Sequence, residues 1–99
     1  MDTINNTAAT VAALNQEIAL LQGRVESNNN HIKFMVARME TACAHVADAA
    51  NQGFIYDAGH VVSIAQQIQQ AQQEIISWLN NIAQLNAMLN ILEPAVENN

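Results

Sequence analysis

A ladder of apolar residues spaced seven apart constrains this chain more than any other feature. It reads Ile4, Val11, Ile18, Val25, Ile32, Met39 and Val46. A second ladder, offset by three, reads Thr7, Leu14, Leu21, Asn28, Met35, Ala42 and Ala49. These are the a and d positions of a heptad repeat held in phase. They predict a helix that buries a narrow stripe along a seam against other helices. Asp2 or Thr3 supplies a capping oxygen at its start, and Ala8, Ala9, Ala12 and Ala13 add helix propensity.

Two features interrupt this stretch. Gly23 costs about 1 kcal/mol relative to alanine inside a helix, and Asn28–Asn30 together form a loop signal. Two architectures follow. The first is a continuous helix that folds with its successor into a long antiparallel hairpin with coiled-coil heptads. The alternative is a three-helix bundle with a turn at Ser27–Asn30, in which Asn30 caps the second helix. The heptad phase passes from Val25 to Ile32 without slipping, which favours the continuous helix. A seam amide at Asn28 would then fix register at some cost in stability.

The expected layout is one all-α domain over residues 1–99, with helices at about 3–52 and 58–92 and a turn at 53–57. Gly53 suits the left-handed closure of a helix, and Asp57 suits an N-cap. The second helix carries its own ladder: Val61, Ile64, Ile68, Ala71, Ile75, Trp78, Ile82, Leu85, Leu89 and Leu92. Pro94 disfavours helix at Glu93, so the helix is expected to stop there and leave a frayed tail at 93–99. Between Ile32 and Ala50 the apolar face widens to include Phe34, Val36, Cys43 and Ala47, which predicts burial by more than one neighbour.

Folding the two ladders about the turn sets Trp78 and Leu79 near Lys33–Val36, and Leu92 near Ile18. Ile4, Val11 and Leu14 then overhang with nothing to bury them, although each such side chain gains about 1.5–3 kcal/mol on full burial. The overhang predicts a partner, another copy of the chain or a different protein, and the candidate oligomer seam is Ile4, Val11, Leu14, Ile18, Leu21 and Trp78. A 99-residue chain with one cysteine also lacks an internal disulfide to support a small core.

Only 12% of residues are charged, while thirteen Asn, ten Gln and seventeen Ala make up much of the rest. Surfaces so weakly charged repel one another little, which favours assembly. The net charge is −6, and the three bases, Arg24, Lys33 and Arg38, give no basic footprint for nucleic acid. An anionic membrane is likewise repelled, and no run is long enough to span one. The N-terminus shows no charged-then-apolar signal region, so the expected setting is soluble and cytoplasmic. A leaderless export route would leave no mark in the sequence.

No reactive constellation stands out. His31, His45 and His60 all fall at seam-flanking g positions. His31 and His45 are fourteen residues apart, roughly 20 Å along one helix, and share no ion there. Cys43 and His45 point in different directions on a helix, and the four ligands of a zinc site are missing. Cys43 reads as a small buried hydrophobe. The carboxylates Glu17, Glu26, Glu40, Asp48, Glu74, Glu93 and Glu97 show no spacing suited to acid–base work, and no E-x-x-H appears. They read as a solvated face. Asn5-Asn6-Thr7 matches a glycosylation acceptor, but no signal peptide accompanies it. No metal, cofactor or catalytic residue is expected.

Phe54, Ile55 and Tyr56 fall in the turn of a chain with only four aromatics. They either plug the end of the hairpin core or form an exposed tip that docks on a partner, since aromatics are enriched at binding hot spots. The function expected is non-enzymatic: self-assembly and protein–protein interaction in a structural or scaffold-type subunit. The alternative is a small acidic inhibitor or adaptor that blocks another macromolecule.

Overall fold

The computed structural model describes the backbone of residues 2–97 and the side chains of residues 6–94. Two helices pack as an antiparallel hairpin, α1 over Asp2–Asn51 and α2 over Gly59–Glu97. α1 is unbroken. Gly23 and Asn28–Asn30 lie inside it, and the three-helix alternative is not adopted.

The burial pattern follows the ladders. On α1 the covered positions with described side chains are Thr7, Val11, Leu14, Ile18, Leu21, Val25, Asn28, Ile32, Met35, Val36, Met39, Ala42, Val46 and Ala49. All but Val36 are a or d residues. On α2 the covered set is the whole ladder from Val61 to Leu92, with Glu93 beside it. Burial of this stripe keeps α1 helical through residues of weak helix propensity, because seam contacts made on both sides of Asn28–Asn30 outweigh a few tenths of a kcal/mol per residue.

The chain divides into two compact units, one of residues 1–26 with 75–99 and the other of residues 27–74. The first is centred on Ile18, Leu21, Ile82 and Leu89, with Val11, Leu14, Val25, Trp78 and Leu85 packed against them. The second is centred on Met35, Ala42, Ile64 and Ala71, flanked by Ile32, Met39, Val61 and Ile68.

These clusters correct the expected stagger. Trp78 packs with the group containing Ile18 and Leu21, not beside Lys33–Val36. Val11 and Leu14 therefore do not overhang: the chain's own α2 covers them. The proposed oligomer seam of Val11, Leu14, Ile18, Leu21 and Trp78 is the internal seam of the hairpin. Ile4 lies within α1, but its side chain is outside the described residues.

The connection explains the shift. Gly53 takes φ +79°, and the Phe54 N–H donates to the Ala49 carbonyl at 2.8 Å while the Gly53 N–H donates to Ala50 at 3.2 Å. This paired closure is the Schellman motif, and it turns the chain sharply. The segment then runs back along the last turns of α1, where the Tyr56 ring stacks on His45 at 5.6 Å. The Asp57 carboxylate accepts the Gly59 N–H at 2.9 Å and caps α2. Because the turn doubles back, α2 begins beside the interior of α1 instead of beyond its end.

Pro94 also departs from expectation, since α2 continues through it to Glu97. Pro94 is exposed and sits two positions past the d residue Leu92, on the outer side of the helix. The carbonyl deprived of its partner there faces solvent, where water can serve it. The expected frayed tail is thus helical as far as Glu97, and residues 98–99 lie outside the described residues.

Candidate functional site

The donor-rich part of the surface is built where the turn folds back on α1. A cavity of about 280 Å³ is lined by Arg38, Thr41, Ala42, His45, Tyr56 and His60. Arg38 and His45 are successive g residues of α1, seven apart and therefore on one flank of the seam. Thr41 lies between them, the turn supplies Tyr56, and the first turn of α2 supplies His60. The Tyr56 and His45 rings lie 30° from parallel, which braces the turn against the helix. The Arg38 guanidinium sits 6.0 Å from the centre of the Phe34 ring, one turn away. At an exposed site such a contact contributes about 0.5–1 kcal/mol.

No carboxylate lines this cavity, although the chain carries nine acids. The nearest acids in sequence are Glu40, beside Thr41, Asp57, beside Tyr56 and engaged at the start of α2, and Asp48, one turn beyond His45. The Thr41 hydroxyl donates to the Ala37 carbonyl at 3.2 Å, so the N–H and O–H groups left to offer are those of Arg38, His45, Tyr56 and His60.

A second polar site straddles the seam at Asn28. Its Nδ2 donates to the Ala71 carbonyl at 3.3 Å and to Glu74 Oε2 at 3.1 Å. A cavity of about 190 Å³ opens beside it, lined also by His31, Met35, Gln67 and Gln70. The seam amide anticipated from the heptad phase is real, and its partners are a backbone carbonyl and an exposed carboxylate.

The three histidines are exposed, as their flanking positions imply. His45 and His60 nonetheless share one cavity. Spacing along a single helix could not reveal this, because the pairing depends on the stagger of the hairpin. Among the described residues no group of three or more His, Cys, Asp and Glu could hold a metal ion. Cys43 is exposed rather than buried. It follows the d residue Ala42 by one position, which rotates it out of the seam.

Phe54 is 69% exposed and Ile55 99%, so neither plugs the hairpin. Tyr56 is turned partly inward by its contact with His45. The widened face after Asn30 is only partly covered: Met35 and Ala42 are buried, while Phe34 and Cys43 are open. On α2, Ile76 and Leu79 are also open, and Met88 and Ile91 border an apolar hollow with Leu92. None of the helices is long and apolar enough, among the described residues, to cross a membrane.

Comparison with protein-family models, curated proteins and solved structures finds no match. The architecture is a two-helix antiparallel hairpin with a braced turn and large apolar side chains exposed outside the seam.

Proposed function

We propose that this chain is a non-enzymatic coiled-coil hairpin that acts by self-assembly and protein–protein contact, as a structural or scaffold-type subunit in the cytoplasm. One observation carries the reading. The hairpin fills its a/d seam internally and still leaves large apolar side chains outside it, with Phe34, Ile76, Leu79 and Ile91 all about half exposed or more. Each would gain about 1.5–3 kcal/mol on full burial. The few charges on this surface offer little repulsion against a second copy, and the amides and alanines around these residues allow close approach. The seam expected to join copies is covered inside the chain, so assembly runs through exposed apolar residues outside it, among which Ile76 and Leu79 are neighbours three apart on α2.

Light scattering after size exclusion, across the micromolar range, tests the reading. The wild type should form a defined oligomer. Ile76→Lys with Leu79→Lys should shift it toward monomer without loss of helicity, since both positions are open in the single chain. A wild type that stays monomeric throughout refutes self-assembly.

The second reading, an inhibitor or adaptor that blocks another macromolecule, is favoured by the turn. Ile55 is almost fully exposed on a segment braced by the Schellman closure, the Tyr56–His45 stack and the Asp57 cap. A braced apolar tip loses little conformational freedom on docking. Ile55→Ser and Phe54→Ser should then abolish capture of a stoichiometric partner and leave the oligomer unchanged.

A further inference from the structure

We infer that the cavity beneath the turn is a carboxylate subsite, and that the partner segment docking on the turn is acidic and apolar together. The inference rests on the reading of the turn as a docking surface and adds the chemistry of its occupant. Three observations carry it. First, the lining gathers Arg38, His45 and His60 with the hydroxyl of Tyr56, and no acid. In a chain of net charge −6, this collects one of three bases and two of three histidines in one place. Second, among the described residues Arg38 forms no ion pair; its one partner is the Phe34 ring, which leaves the guanidinium edge open to a bidentate acceptor. Third, Tyr56 joins the cavity directly to the exposed Phe54 and Ile55, so a bound carboxylate has apolar surface within a residue or two along the chain.

The chemistry favours a carboxylate over a phosphate ester. A single fixed cation suits one negative charge, and the imidazoles need only donate N–H bonds in their neutral form. A dianion would leave charge unmatched, with Glu40, Asp48 and Asp57 close by in sequence. A polypeptide that presents Glu or Asp next to Leu, Ile or Phe meets both the cavity and the tip.

The test titrates the isotopically labelled full chain with acetylated, amidated Leu-Glu-Leu, followed by NMR. Leu-Gln-Leu and inorganic phosphate serve as comparison arms. Leu-Glu-Leu should saturably shift signals of His45, Tyr56, His60 and Ile55, and Leu-Gln-Leu should bind at least about tenfold more weakly, the scale of one charge-assisted contact. Arg38→Gln should bring the two peptides to equal affinity while the spectrum of the fold is kept. Equal binding of both peptides to the wild type, or an unchanged preference in Arg38→Gln, overturns the carboxylate assignment. Tighter binding of phosphate than of Leu-Glu-Leu overturns it in favour of a phosphorylated ligand. Partner capture that remains sensitive to Ile55→Ser while Leu-Glu-Leu produces no shifts rejects this inference and spares the docking reading. Peptide binding with no effect of Ile55→Ser on capture rejects the docking reading instead.

Discussion

Replacing Asn28 by Leu should stabilise the hairpin, and the size of the effect follows from what the amide does. Asn28 holds a d position and is half-buried. Its bond to Glu74, 3.1 Å long, is made to an exposed carboxylate, and water competes for it. A net contribution near the lower end of about 0.5–1.5 kcal/mol is expected. The 3.3 Å bond to Ala71 reaches a carbonyl in the helix interior. That carbonyl keeps its acceptor role toward the amide four residues on, so losing Asn28 strands nothing there. Leu at a half-buried site gains about 1–1.5 kcal/mol from burial. The neighbouring cavity of about 190 Å³ gives the bulkier methyl groups room. The balance is a gain of about 0.5–1 kcal/mol, at about 4–8 °C in Tm for each kcal/mol in a domain of this size. Asn28→Ala, which forfeits the bonds and fills nothing, should lose about 1 kcal/mol. Thermal and urea unfolding followed by circular dichroism measures both, at fixed concentration because self-association would shift the apparent stability. A lower Tm for Asn28→Leu would refute the reasoning, and would mean that the amide bonds outweigh apolar contact at this layer.

Gly23 lies exposed in mid-helix, and a Cβ built there meets nothing within 4 Å. Gly23→Ala should therefore add about 0.5–1 kcal/mol, read as a higher urea midpoint with an unchanged slope. Gly53→Ala should do the reverse and cost about 1–2 kcal/mol, because its φ of +79° is unfavourable for any residue with a Cβ. Met35 is 1% exposed, so Met35→Ala should cost about 2–5 kcal/mol, while Phe34→Ala beside it should cost less than about 1 kcal/mol in a monomeric sample. Cys43 should react with a thiol reagent in the folded protein, one equivalent per chain without denaturant, and slow reaction that speeds on unfolding would contradict its exposure.

What could be read from the residues was periodic. A stripe repeating every 3.5 residues specifies which side of a helix is covered, and it did so here from Val11 to Leu92 with Asn28 as its single amide. Helix continuity also followed from phase, since a turn at Ser27–Asn30 would rarely leave Val25 and Ile32 in step. The cap of Asp57 and the closure at Gly53 followed from local chemistry, which depends on the side chain and the backbone angle alone. Stagger was not legible, because a heptad pattern slid along its partner by one repeat still matches apolar to apolar. Register is then set by the path of the turn, and that path depends on a contact between Tyr56 and His45 that no spacing rule contains. The cavity of Arg38, His45 and His60 was missed for the same reason.

The corrected stagger changes where the unmet burial lies, and with it the argument for a partner. With Val11 and Leu14 covered by α2, demand for company no longer comes from an overhanging seam. It moves to the flank positions: Ile76 and Leu79 on one helix, Phe34 and Cys43 on the other, and Phe54 and Ile55 at the turn. Flank residues differ from seam residues in a decisive way. The hairpin folds without them, so substitution there should separate association from stability, whereas any seam substitution confounds the two. Leu79→Gln offers the cleanest comparison with Ile82→Ala. The first position is about half exposed and the second 9% exposed, three residues further along the same helix. Leu79→Gln should weaken association with a Tm change of only a few degrees at concentrations where the chain is monomeric. Ile82→Ala should cost about 2–5 kcal/mol at every concentration. If Leu79→Gln unfolded the monomer as Ile82→Ala does, Leu79 would belong to the core, and the division between internal seam and outer flank would fail.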